Sequence, residues 1–170
     1  MDPHPHDPTD YTEWDSTQGS EGITVEAVNR FLGAMVKDTW GDLDRALRIT
    51  EDLPDFSGIL PLGDPSLRPF LNKPGVFFIL GPLPTLSLLH IGASRGPIGF
   101  VLRSRIEEYP DGRFGWRWES RSEPPPTFVA IATMEDYWAF APPLRNLLAR
   151  KLGEGPVEDS GGTDPVIPYV

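Results

Sequence analysis

The stretch of sequence that decides the fold is GVFFILGPLPTLSLLHIG, residues 75–92. It starts with the apolar run 75–80, passes through a turn rich in proline and glycine, and returns with a second apolar run over 86–91. Two strand-length apolar runs joined by a short Pro/Gly loop predict an antiparallel hairpin. Because neither run alternates cleanly between apolar and polar residues, we expect both faces of the hairpin to be buried. Gly92 is expected to let the chain turn away from the second strand.

The residues that follow the hairpin predict a small α+β module over 74–152. In order, the patterns predict a helix over about 97–109, a short strand that carries Trp116 and Trp118, a buried strand over 127–132, and a helix over 133–152. Thr133 is expected to cap the last helix with Asp136 in the capping-box position, and Pro142 and Pro143 to kink or restart it. The predicted fold is a three-stranded antiparallel sheet flanked by helices.

Upstream of the module, residues 22–73 predict a helical extension followed by a connector. A helix should start at Thr24 and break at Gly41 and Asp42, with a second short helix running to about Asp52. The proline content of residues 53–74 predicts a loop or an extended connector. At the ends of the chain, residues 1–21 predict a disordered acidic leader and residues 153–170 an acidic Pro/Gly tail.

Composition narrows the range of functions. The chain has 170 residues and no cysteine, which excludes disulfide scaffolds, thiol catalysis and iron–sulfur chemistry. No apolar run approaches the roughly 20 residues needed to span a bilayer, and the acidic N-terminus is unlike a secretory signal. We therefore expect a soluble, cytoplasmic protein without a membrane partner.

The net charge of −10 is unevenly distributed along the chain. Residues 1–74 carry −8, residues 75–152 carry +2 and residues 153–170 carry −4, and six arginines fall within residues 95–121. The arginine-rich segment predicts DNA contact through a basic face; the alternative is a solvated surface balanced by neighbouring glutamates. The candidate nucleic-acid-binding residues are Arg95, Arg103, Arg105, Arg117, Trp116 and Trp118, the tryptophans either stacking unpaired bases or packing in the core.

Several short motifs together resemble the GIY-YIG nuclease superfamily over residues 74–152. They are PGVF at 74–77, LLHIG at 88–92, RIEEY at 105–109, FVAI at 128–131 and LRNLL at 144–148. The resemblance implies a catalytic tyrosine at the position of Phe77, a second tyrosine at His90, a phosphate-binding arginine at Arg105 and a metal-binding glutamate at Arg145.

Two of these positions lack the functional group that the resemblance implies. Phe77 has no hydroxyl to exchange a proton, and Arg145 offers no oxygen to coordinate Mg²⁺ or Mn²⁺. No metal site is expected, and no cofactor, unless the nuclease alternative holds, which would need Mg²⁺ or Mn²⁺. His90 is either a general base or a buried structural residue, and Arg105 binds either a phosphate or a nearby glutamate such as Glu108.

Three functions remain open from the sequence. The preferred one is a GIY-YIG-like module with a degraded catalytic site, acting as a binding or structural subunit with a protein partner in a nucleic-acid-related or defence-type assembly. The apolar segment 166–170 could join such a partner as an added strand. The first alternative is an active metal-dependent DNA endonuclease with a rearranged site built on His90 and Arg105. The second is an acidic inhibitor or immunity-type protein.

Overall fold

A computed structural model of the chain describes residues 24–49, 53–117, 124–134 and 138–153. Its elements are helix α1 (Val25–Leu47), strand β1 (Asp55–Pro61), a 3-10 turn (Pro65–Leu67), the one-turn helix α2 (Arg68–Leu71), strands β2 (Gly75–Leu80) and β3 (Leu88–Ser94), helix α3 (Ile98–Arg105), strands β4 (Ile106–Glu108), β5 (Phe114–Trp116) and β6 (Phe128–Thr133), a 3-10 turn (Trp138–Phe140) and helix α4 (Ala141–Lys151). The predicted α+β class is confirmed. The predicted leader over 1–21 and residues 154–170 of the predicted tail lie outside the described residues.

The main sheet has four strands within the described residues, whereas the sequence predicted three. Their order is β1-β6-β2-β3, and each neighbouring pair is antiparallel. Strands β2 and β3 form the predicted hairpin. The extra strand β1 lies in residues 53–74, where a loop or an extended connector was predicted, and nothing in the sequence indicated that this segment pairs with the sheet. The prolines misled because Pro61 ends an edge strand, while Pro65 and Pro69 sit in first helical turns, where a missing N–H costs little.

Strand β1 contains a bulge at which it forms hydrogen bonds with β6 and with α1. The pairing between β1 and β6 shifts register after Phe56, and Gly58 adopts a φ of 80°. The Ser57 hydroxyl accepts a hydrogen bond of 2.9 Å from the backbone N–H of Ile131 in β6. The backbone N–H of Ile59 donates instead to Oδ1 of Asn29 in α1, at 2.8 Å. Strand β1 is therefore bonded to both the sheet and α1.

Helix α1 is a single helix of 23 residues. Its predicted cap is confirmed, because the Thr24 hydroxyl accepts from the backbone N–H of Ala27. The predicted break at Gly41 and the second helix toward Asp52 were wrong, since α1 continues to Leu47 and ends at Arg48 in a left-handed conformation. A glycine inside a helix costs about 1 kcal/mol. Trp40 and Leu43 flank Gly41 and are both buried, which offsets that cost.

The main sheet separates two apolar clusters. On one face, which we call the helical face, Val76, Phe78 and Leu80 of β2 pack with buried side chains of α1 and α4. On the other, which we call the hairpin face, Phe77 and Ile79 pack with α3 and the β4–β5 pair. Strand β2 is buried along its whole length, as the unalternating sequence predicts.

Helix α3 is shorter than predicted because its chain turns into a second hairpin. The helix ends at Arg105, and residues Ile106–Glu108 pair with Phe114–Trp116 in a two-stranded sheet. The hairpin closes where the N–H of Gly112 donates to the carbonyl of Tyr109. The predicted strand at Trp116 is confirmed, while Trp118 lies outside the described residues.

The last helix starts later than predicted. Thr133 is buried at the end of β6, opposite Gly75, and is not a helix cap; Asp136 lies outside the described residues. Helix α4 begins at Ala141, so Pro142 and Pro143 lie in its first turn rather than at a kink inside a longer helix. Gly153 follows the helix with a φ of 75°, a common way for helices to end.

Across the described residues, no helix is both long and apolar enough to cross a membrane.

Candidate anion-binding site

His90 lies on the hairpin face of the sheet, beside Phe77. It pairs in register with Ile79, and opposite residues in an antiparallel pair point to the same face. The imidazole and the Phe77 ring are 6.0 Å apart between centroids and tilted by 45°. Phe77 itself is fully buried. The strand pairing thus brings together the two residues at which the family resemblance implies tyrosines.

Gly92 makes this arrangement possible by leaving space for the Phe77 ring. It is the register partner of Phe77, and a Cβ added to it would lie 2.2 Å from Cζ of Phe77. The expectation that Gly92 turns the chain away was wrong, because β3 continues to Ser94. The glycine serves side-chain packing across the strands rather than chain reversal.

Two arginines approach His90 from different helices. Arg105 is the last residue of α3, and Arg145 projects from α4 toward the edge strand β3. Nε of Arg145 donates to the carbonyl of Ile91 at 3.1 Å, and its Nη1 donates to Oδ1 of Asn146 at 2.8 Å. We call His90, Arg105 and Arg145 the cationic cluster. Strand β3, the helix α3 that follows it and the more distant helix α4 therefore contribute basic side chains that act on one another electrostatically.

The surroundings of His90 keep its imidazole neutral. Burial first, and then the positive charges of Arg105 and Arg145, together lower the pKa of His90 from 6.5 to about 3. An imidazole with such a pKa is neutral at pH 7, with one N–H donor and one acceptor nitrogen. It is also a much weaker base than an ordinary histidine.

The cationic cluster does not fit a divalent cation. Mg²⁺ and Mn²⁺ require oxygen ligands, whereas the charged groups around His90 are guanidinium groups. In the part of the chain that the structure describes, no group of three or more histidine or carboxylate side chains could hold a metal ion. Because its two guanidinium groups carry fixed positive charge, the cluster is suited to an anion instead.

Of the other residues predicted to bind nucleic acid, Trp116 is packed against the protein and Arg117 is exposed. Trp116 is half-buried against the hairpin-face cluster, and its Nε1 donates to the carbonyl of Pro124 at 3.0 Å. Arg117 is exposed, with Nη1 3.8 Å from Oε1 of Glu107. Its Nε donates to the carbonyl of Arg103. Trp116 therefore has a packing role, and Arg117 remains on the surface.

Arg95 and Arg103 lie over aromatic rings that the sequence analysis did not single out. The Arg103 guanidinium is 5.3 Å from the ring centroid of Phe100, and that of Arg95 is 6.0 Å from the ring of Trp138. Phe100 could have been found, since it falls off the apolar stripe of α3 formed by Ile98 and Leu102. Trp138 gave no such signal, because it was assigned to a helix that starts only three residues later.

Comparison with known proteins adds no relatives. No family model matches the chain, and neither a curated protein nor a solved structure matches it. The site must therefore be interpreted from its own geometry and chemistry.

Proposed function

We propose that this chain is a nucleic-acid-binding module that holds phosphates without hydrolysing them. The observation that carries the proposal is that Arg105 and Arg145, on different helices, both lower the pKa of the buried His90, so that two permanent positive charges act on a neutral imidazole. The resemblance to GIY-YIG nucleases supplies the expectation of a phosphate at this place. The proposal keeps the binding role and leaves out the cleavage.

The donors of the cationic cluster suit a phosphate group. Arginine has five N–H groups in a planar fork, and two of those on Arg145 bond to Ile91 and Asn146. Its other three N–H groups make no hydrogen bond within the described part of the chain and can donate to a ligand. Charge-assisted hydrogen bonds from arginine to phosphate oxygens are about twice as strong as neutral ones.

The same groups are poor at cleaving a phosphodiester. Phe77 has no proton to exchange, and His90 is too weak a base at pH 7 to activate water efficiently. At position 145, the guanidinium provides positive charge but no metal-bound water. The endonuclease alternative would therefore need catalytic groups from outside the cationic cluster.

Binding and cleavage can be measured together on the full chain. We expect labelled DNA to bind in EDTA and to remain intact when Mg²⁺ or Mn²⁺ is added. Arg105→Ala and Arg145→Gln should each weaken binding about tenfold or more, the effect of losing a charged hydrogen bond. Glutamine is chosen because it retains an N–H donor for the Ile91 carbonyl while removing the charge.

Arg150→Ala is the matched control. Arg150 lies on the same helix, is exposed, and carries the same charge, so its loss should change binding by no more than about twofold. Metal-dependent cleavage that disappears in Arg105→Ala and His90→Ala would overturn the proposal. So would Arg145→Gln and Arg105→Ala variants that bind as tightly as Arg150→Ala.

A bound phosphate should also be detectable through His90. A negative charge beside the imidazole favours its protonated form, so inorganic phosphate should raise the pKa of His90 above about 3. The imidazole can be followed by NMR, because His4 and His6 are the only other histidines in the chain. An unchanged titration at saturating phosphate would contradict the assignment of the site.

A further inference from the structure

Two aromatic side chains of the described residues are exposed to solvent. Phe100 is 63% exposed and Trp138 is 48% exposed. An arginine guanidinium lies over each ring: that of Arg103 over Phe100 and that of Arg95 over Trp138. We call these four residues the ring surface. None of them belongs to the cationic cluster.

The residues of the ring surface follow chain segments that meet at one end of the main sheet. Gly75 at the beginning of β2 pairs with both Ser94 at the end of β3 and Thr133 at the end of β6. Arg95 directly follows β3. Phe100 lies in the first turn of α3, which is attached to this end because the N–H of Ile98 donates to the carbonyl of Lys73 at 3.0 Å.

The composition of the ring surface indicates the chemistry of its ligand. Aromatic faces stack on bases, and arginine binds phosphates while also stacking on rings. A guanidinium over one side of a ring leaves the other side for a base. All of the net charge of the chain lies at its ends, since residues 24–153 hold 15 basic and 15 acidic side chains. Because residues 24–153 carry no net charge, the positive charge at the ring surface comes from its own two arginines. That charge complements a phosphate backbone.

We propose that the ring surface binds unpaired bases, so that the preferred ligand is single-stranded nucleic acid. Phe100 and Trp138 stack on bases, and the arginines lying on them contact the backbone of the same strand. A duplex cannot use these rings, because its bases are already stacked and paired inside the helix. The inference rests on the proposed function for the phosphate contact at the cationic cluster, but adds a different surface and a different ligand preference.

The test compares three ligands of equal length: an oligo-dT strand, an abasic strand and a duplex, each labelled and measured by fluorescence anisotropy. In the full chain, Phe100→Ala and Trp138→Ala should each weaken oligo-dT binding by about 5- to 150-fold, the range expected for one stacked base. Binding of the abasic strand and of the duplex should change by less than about twofold, since neither offers a base to these rings.

Leu83→Ala is the matched control for removing an exposed apolar side chain. Leu83 is 51% exposed and lies between β2 and β3, at the opposite end of the hairpin from Gly75. Its loss should leave the binding of all three ligands unchanged. Because the three substituted side chains are exposed, their unfolding midpoints should match that of the unaltered protein, which verifies that the variants are folded.

The outcomes separate this inference from the proposed function. If Phe100→Ala and Trp138→Ala bind oligo-dT normally while Arg105→Ala does not, the ring surface is not a base site and the proposed function stands. An abasic strand that binds as tightly as oligo-dT would overturn the inference in the same way. If Arg105→Ala and Arg145→Gln leave all binding unchanged, the proposed function fails. Oligo-dT binding that still depends on the rings would then support the ring surface alone.

Discussion

The two faces of the main sheet differ in what their side chains accomplish. On the helical face, α1 and α4 cover an apolar cluster that includes Leu32, Met35 and Leu144. On the hairpin face, a smaller cluster around Phe77 borders the cationic cluster. Burial of apolar area stabilises the fold on both faces, but only on the hairpin face does the core lie beside His90, on which the charges of Arg105 and Arg145 act. The comparison shows how one strand, β2, can support apolar clusters on both faces and also position the neighbours of His90.

The largest expected effect tests whether the two faces are independent. Phe78 and Phe77 are neighbours in β2, both fully buried, and they point to opposite faces. Phe78→Ala and Phe77→Ala should each lower the free energy of unfolding by about 3–5 kcal/mol, measured with urea. Only Phe77→Ala should also raise the pKa of His90, because it admits water beside the imidazole.

The milder Phe78→Leu and Phe77→Leu pair keeps this comparison measurable if the alanine variants unfold. The His90 titration would be followed by NMR in both. An equal change in the pKa of His90 for both variants would show that the faces are coupled through the strand.

A smaller effect concerns the pH dependence of stability on the hairpin face. The unfolded chain protonates His90 below pH 6.5, whereas the folded chain does so only near pH 3. Between these values the unfolded state binds more protons, so stability should fall as the pH is lowered. One histidine can contribute a slope of at most about 1.4 kcal/mol per pH unit, and above pH 6.5 its contribution is constant.

His90→Gln isolates that contribution from the carboxylates that titrate in the same range. The difference in unfolding free energy between the two proteins should change steadily from pH 6.5 to pH 3 and remain flat above it. A difference that does not vary with pH would contradict the neutral, buried imidazole.

The smallest effects come from two glycines that look alike in the sequence. Gly92→Ala should destabilise the protein by about 1–3 kcal/mol, because the new methyl group collides with the Phe77 ring. Gly41→Ala should stabilise it by about 0.5–1 kcal/mol, because Gly41 lies inside α1 and a new Cβ would meet no side chain closer than Nη1 of Arg45, at 3.8 Å. Thermal unfolding of the two variants should shift in opposite directions; a shift in the same direction would contradict the packing around Gly92.

The features that the sequence predicted well depend on local patterns. The β2–β3 hairpin follows from two apolar runs and the turn between them, and the start of α1 follows from the hydroxyl of Thr24. Strand β1 could not be found in this way, because its register depends on the distant contacts of Ser57 and Asn29. Helix α1 likewise continues past Gly41 only because tertiary packing outweighs the local preference for a break.

At the candidate site, too, local motifs predicted the candidate residues, whereas properties that depend on residues far along the chain were not predicted. The motifs singled out Phe77, His90, Arg105 and Arg145 as positions, and the structure places the two arginines near enough to influence His90. What the motifs could not provide was the depressed pKa of His90, because burial depends on residues far along the chain. The Arg95–Trp138 pair was missed for a related reason, since the two residues are distant in sequence. Phe100 and Arg103, in contrast, lie three residues apart in α3, and their pairing could have been predicted.

The contacts of Asn29 and Arg145 also bear on how copies of this protein behave when they are concentrated. Strands β1 and β3 lie at the outer edges of the main sheet, the positions through which β-proteins tend to add strands and aggregate. Asn29 engages the backbone of β1 at Ile59, and Arg145 engages that of β3 at Ile91. A neighbouring molecule that paired with either edge would have to displace a helix side chain first. Growth of the sheet from molecule to molecule is thereby opposed at both edges, and at β3 by a residue that carries positive charge.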